Sequence, residues 1–190
     1  MRLKAEDKAK ITLRIRAAAA KTFRQQGYDA VNLDLLMKEA GLTRGAFYAH
    51  YKSKAALFAD VMHYEHPLLR MLENRNAGDA VGLYEDMLTI FSGYLDADNL
   101  DEVFQGCSLA ALTGDTTRSG DEVKAGYGAA FTALCEEMGR GQSYRSSEYS
   151  SALILAAGAV RAAKAMSDHS QQAQTLKAAR DAFITLLPKP

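Results

Sequence analysis

Apolar residues recur along this chain at intervals of three and four, and alternating strand patterns are missing. In a first segment, residues 8–26, Ile11, Ile15, Ala18, Ala19 and Phe23 line one face. Gly27 follows where a left-handed C-terminal cap is expected. A second, short segment has Asn32 as its cap, Leu33, Leu36, Met37 and Ala40 as its stripe, and Gly41 as its stop. The third begins at once: Thr43 is an N-cap, Leu42 and Phe47 occupy hydrophobic-staple positions, and the segment closes near Tyr51. Ser53 caps a fourth, whose inner face carries Leu57, Phe58, Val61 and Met62 until Pro67 kinks or breaks it near His66.

Five further stripes follow. Tyr84 to Leu95 marks one and Leu100 to Ala111 the next. The stretch Thr113 to Gly120, rich in Thr, Gly, Asp and Ser, reads as a loop. Val123 to Met138, an alanine-rich run Ser147 to Ser167, and Leu176 to Leu187 complete the chain, with Gly139 and Gly141 as breakers. The expectation is an all-α fold of about nine helices. A three-helix head spans residues 1–52 and a helical body spans 53–190.

Composition agrees: 48% of the 190 residues are hydrophobic and only three are proline. The formal net charge of zero hides an asymmetry. Residues 1–63 hold 12 Lys/Arg against 6 Asp/Glu, and residues 64–190 hold 11 against 17. A basic head on an acidic body suits an encounter with a polyanion at one end, although ordinary surface charge can also split this way. Cys107 and Cys135 form no C-x-x-C pair, so neither a disulfide framework nor a zinc site is expected. The opening residues lack a leader's apolar stretch, and the run Ala152 to Val160 is too short for a bilayer; a soluble, cytoplasmic chain is expected.

The chemistry concentrates in residues 27–62. Two short helices joined by Gly41-Leu42-Thr43 have the spacing of a helix-turn-helix, whose second helix enters a major groove. On that helix Phe47 and Tyr51 share one face, and Arg44 and Tyr48 share another. The small residues Gly45, Ala46 and Ala49 permit close approach to base edges. Arg44 is placed for a guanine edge or a phosphate, and Tyr48 and His50 for phosphate oxygens. Lys54 puts a cation at a helix N-terminus, where the dipole disfavours it. It is either a phosphate contact or an exposed lysine of trivial cost.

The run from Ala40 to Phe58, AGLTRGAFYAHYKSKAALF, with the upstream Ile11, Ala18-Ala19, Phe23 and Gly27-Tyr28, resembles the signature of TetR-family regulators. The resemblance covers about residues 10–62. It implies DNA contacts at Thr43, Arg44, Gly45, Tyr48, His50 and Lys54, with Asn32 where members usually carry a capping Thr or Ser. Ala49 stands where many members have a large aromatic, which weakens any contact there, and Met37 replaces a usual small residue.

The resemblance also implies a homodimer held by the last two helices, a double-stranded operator, and a small-molecule effector whose binding shifts the fourth helix. The sequence adds a run of small residues (Ala156, Ala159 and Ala163 among them) with Phe183 and Leu187 as larger knobs; these fit a dimer interface or burial within one chain. Tyr84, Met87, Phe91, Phe104, Cys107, Tyr127, Phe131 and Met138 fall on inward faces, as core or as the lining of a pocket for an apolar or aromatic effector. Cys107 is a sensor or a structural thiol, and no cation stands within a helical turn to lower its pKa. Pro67 is a hinge candidate or a simple helix end. Neither a metal nor a cofactor is expected. The rivals are an enzyme, for which no G-x-S-x-G, H-E-x-x-H or P-loop pattern speaks, and a protein-interaction module, which leaves the Thr43–Lys54 pattern unexplained.

Overall fold

A computed structural model describes residues 5–76, 78–142 and 147–190. These form eleven α-helices and one 3-10 turn, with no strand among the described residues. The helices are α1 (Ala5–Gln26), α2 (Leu33–Glu39), α3 (Arg44–Tyr48), α4 (Lys54–Tyr64), α5 (Pro67–Glu73), α6 (Ala80–Tyr94), α7 (Leu100–Gly106), α8 (Ser108–Arg118), α9 (Asp121–Met138), α10 (Ser147–Lys164) and α11 (His169–Leu186).

The count exceeds nine for two physical reasons. Pro67 opens a separate α5, where its fixed φ and missing N–H suit the first helical position. Cys107, in extended backbone, parts α7 from α8. The expected loop from Thr113 to Gly120 is also corrected: α8 continues to Arg118. Thr, Gly and Ser are poor helix formers, but Leu112 and Thr116, one turn apart, are buried. Thr117 Oγ1 donates to the Gly114 carbonyl at 2.8 Å, and Ser119 Oγ to the Asp115 carbonyl at 2.8 Å. Burial decides the conformation there, and propensity does not.

The chain divides into two compact units. One comprises the chain up to His66 together with Leu112–Ala130; the other comprises Pro67–Ala111 and Phe131–Pro190. By packing, α4 therefore stays with the first three helices, whereas the sequence suggested a boundary at residue 52. Residues 112–130 join the same unit.

In the first unit Ile15, Ala19 and Phe23 of α1 face Leu57, Phe58 and Val61 of α4 across a core with almost no solvent exposure. Phe23, Tyr28 and Phe58 form an aromatic triad with centroids 5.0 to 5.6 Å apart. The α9 segment reaches α4 where Gly126 has no side chain: a Cβ there would lie 2.8 Å from Ala59 Cα.

In the second unit α10 and α11 pack on each other, and Phe183 stacks on Phe91 of α6 at 4.3 Å. The C-terminal carbonyls of α5 are taken up by two arginines. Buried Arg75 donates to Leu72 O at 2.9 Å, and Arg140 donates to Leu72 O and Glu73 O at 2.9 Å each. Burial, then the neighbouring Arg140, lowers the Arg75 pKa.

Candidate nucleic-acid interface

The turn between α2 and α3 is set by Gly41, whose φ of 65° is a left-handed conformation that residues with a Cβ adopt only at a cost. Around it the Leu42 N–H donates to Met37 O at 2.8 Å and the Gly41 N–H to Lys38 O at 2.9 Å, the paired bonds of a Schellman cap. The other end of α2 is closed by Asn32, whose Oδ1 accepts from the Leu35 N–H at 2.8 Å. Arg14 of α1 then fixes the turn from outside: its Nη2 donates to Ala40 O at 2.8 Å and to Gly41 O at 3.3 Å.

On this base α3 presents two faces. Phe47 is 0% and Tyr51 7% exposed, their rings 5.9 Å apart, and the Tyr51 hydroxyl donates to Asp60 Oδ2 at 2.8 Å. Burial, then that hydrogen bond, raises the Tyr51 pKa, so the phenol stays protonated. Outward stand Tyr48, 59% exposed, and Arg44, whose side chain is 56% exposed. A Cβ on Gly45 would meet nothing nearer than Thr43 Oγ1 at 4.0 Å, so the space over the helix is open. Thr43 caps α3 by its backbone position and makes no side-chain cap bond.

The electrostatics refine the sequence reading at three residues. Arg44 Nη1 pairs with Asp34 Oδ2 of α2 at 2.9 Å; a hydrogen bond with Tyr48, then Asp34, raises the guanidinium's pKa. Arg44 is thus held by an exposed carboxylate. His50 Nδ1 lies 2.8 Å from Thr12 Oγ1, and that hydroxyl spends its own proton on Lys8 O at 3.0 Å. Nδ1 is therefore the donor, and the neutral ring keeps Nε2 as an acceptor. Burial, then Lys8, lowers the His50 pKa, so His50 can donate to a phosphate only after protonation. Lys54 is neither a free cation nor a surface lysine. Its Nζ donates to Tyr28 O at 2.8 Å and Val31 O at 3.0 Å and lies 4.2 Å from the Tyr28 ring centroid. The cap of α4 is made by Ser53, whose Oγ accepts from the Ala56 N–H at 2.9 Å.

Arg14 and Asp34 were missed by sequence reasoning. Arg14 looks like any polar-face residue of a long helix, and Asp34 is ten positions from Arg44. Only the packing of α1, α2 and α3 brings them to their partners.

The residues singled out in the body separate. Tyr84, Met87, Phe91, Cys107 and Met138 are buried, while Phe104, Tyr127 and Phe131 are half-buried. Tyr127 belongs to the first unit, where its hydroxyl lies 3.1 Å from Thr113 Oγ1. Cys107 lines a cavity of about 460 Å³, and Phe131 lines a different one of about 410 Å³. The eight therefore do not surround one space. Of the residues expected at an interface, Ala156, Ala159, Ala163, Phe183 and Leu187 are at most 9% exposed within the single chain. The small side chains let α10 pack closely inside the unit, and what α10 and α11 leave outside is Ile154, Ile184, Leu186 and an open surface at Gly158.

Residues 15–61 match the model of the bacterial regulatory proteins of the tetR family. That match covers the N-terminal region alone. The HTH-type transcriptional regulator AcrR of Shigella flexneri is 44% identical over 43 residues, 23% of this chain and 20% of that protein. The chain's alignments with its curated relatives span a fifth to a quarter of their lengths. Over its whole length the chain has the fold of the TetR-family transcriptional regulator from Cytophaga hutchinsonii, with a TM-score of 0.70, 20% identity and 100% of each chain covered. The SmeT–triclosan complex, from Stenotrophomonas maltophilia, has a TM-score of 0.64, 17% identity and 95% and 98% of the two chains covered. The TetR-type match falls on the helix-turn-helix described above, and no helix among the described residues is long and apolar enough to cross a membrane.

Proposed function

We propose that this protein is a sequence-specific transcriptional regulator that represses from a palindromic operator as a homodimer and is released by a small molecule. The observation that carries it is the exposed face of α3: Arg44 and Tyr48 stand outward on a short helix anchored from within by Phe47 and Tyr51. Arg44 reads a base edge or a phosphate, Thr43 and Tyr48 contact the backbone, and Gly45 provides clearance. Asn32, Arg14 and Lys54 position the module, and His50 adds a phosphate contact when protonated.

A second copy docks through the outward surfaces of α10 and α11, around Ile154, Gly158 and Ile184, since the inner residues are already used. Twofold symmetry then matches two half-sites. Release by a small molecule is supported by the fold shared with SmeT, whose complex holds triclosan. The test is electrophoretic retardation of DNA from upstream of the protein's own gene. Retardation that weakens steeply with salt is expected; no retardation of genomic fragments at low salt refutes the proposal.

A further inference from the structure

We infer that the cavity between α5, α6 and α7 is the effector site, and that it takes a neutral or cationic molecule with an apolar body and excludes organic anions. The inference rests on the repressor reading above and deepens it. The cavity measures about 460 Å³, within the usual range of small-molecule sites, roughly 300–1,000 Å³. Its walls are chiefly apolar, with Leu68 and Met71 from α5, Ile90 from α6 and Val103 from α7.

The polar side chains at its edge are Thr89, Tyr94, Asn99 and Glu102. Asn99 spends one of its two amide N–H groups on Gly93 O at 3.1 Å and keeps its carbonyl oxygen as an acceptor. Glu102 contributes a carboxylate, and the adjacent Asp101 is already paired with Lys164. Tyr94 directs its hydroxyl proton to Cys107 Sγ at 3.0 Å. No Lys, Arg or His lines the cavity among the described residues. A carboxylate with no cation beside it favours a ligand that brings a hydrogen-bond donor or a positive charge, and repels a carboxylate or phosphate. Pro67 forms part of the wall and is the first residue of its unit, directly after His66.

The test uses the full chain and three probes with one aromatic body: naphthylmethyl-trimethylammonium, naphthylmethanol and naphthylacetate. Calorimetric titration is expected to rank cation above alcohol above anion, with the extremes separated by about tenfold or more. Glu102→Gln should weaken the cation by about threefold and leave the alcohol unchanged, as for a half-screened charge. Gly93→Leu should abolish binding of both by filling the space; the new Cβ meets only Asn99 Nδ2 at 3.9 Å, and leucine favours the helix. Equal affinities, tightest binding of the anion, binding of none of the three, or an unaffected Gly93→Leu variant overturns the assignment. DNA retardation run in parallel separates the two claims. A chain that discriminates the probes but never holds DNA refutes the repressor reading alone; one that holds DNA without discriminating refutes the site alone.

Discussion

Replacing Lys54 by methionine keeps the aliphatic stem and removes only the ammonium, so the variant isolates what the charge does. In the structure that charge holds two carbonyls of the α1–α2 connection, Tyr28 O at 2.8 Å and Val31 O at 3.0 Å, and faces the Tyr28 ring. Hydrogen bonds from a charged donor contribute about 1.5–3 kcal/mol each when fully desolvated. Here the site is half-buried and water can replace part of each bond, so about 1 kcal/mol apiece is the fitting figure. The cation–ring contact adds about 0.5 kcal/mol. The expected loss is about 2.5 kcal/mol, or a melting temperature lower by about 5–10 °C for a chain of this size. Thermal unfolding by circular dichroism measures it. The salt dependence of DNA binding supplies the second arm: an ammonium committed to carbonyls leaves the slope unchanged, whereas a phosphate contact flattens it by about one unit. Unchanged stability together with a flattened slope would refute the structural role and return Lys54 to the DNA surface.

Further outcomes follow from the same geometry. Arg44→Ala should cost about 1–3 kcal/mol of DNA affinity and relax preference at one base pair if the guanidinium reads a base; equal loss on every sequence identifies a phosphate contact. Asp34→Asn removes both the partner of Arg44 and a negative charge beside the helix, so DNA affinity should rise severalfold at low salt; a fall would show that Asp34 orients Arg44 indispensably. Gly126→Ala places a Cβ against Ala59 Cα, so overpacking of about 1–3 kcal/mol should outweigh the roughly 1 kcal/mol gained in helix propensity. Urea unfolding measures the net loss, and a stabilised variant contradicts the close approach. Between the lowered pKa of folded His50 and the usual value near 6.5, the unfolded chain binds more protons. Stability should therefore fall as pH drops through about 6.5, and His50→Gln should flatten that dependence in pH-resolved melting curves.

Local rules suffice for the head of the molecule because each of its signals is short-range. Asn32 and Ser53 cap helices in the sequence reading and in the structure, and Gly41 takes positive φ at the stop of α2. The inward pair Phe47 and Tyr51 and the outward pair Arg44 and Tyr48 are fixed by a spacing of four on a helix. All-α architecture and the helix-turn-helix are therefore written in the chain itself. Tertiary packing alone decides the rest. It draws Thr113–Arg118 into α8 against its propensity, turns Lys54 inward to a loop distant in sequence, and pairs Arg44 with Asp34. It also uses Ala156, Ala163 and Phe183 inside the unit, where an alanine stripe marks close approach without saying whose helix approaches. Periodicity reports that a face is buried; which neighbour buries it, and where a space is left, depends on how the helices meet.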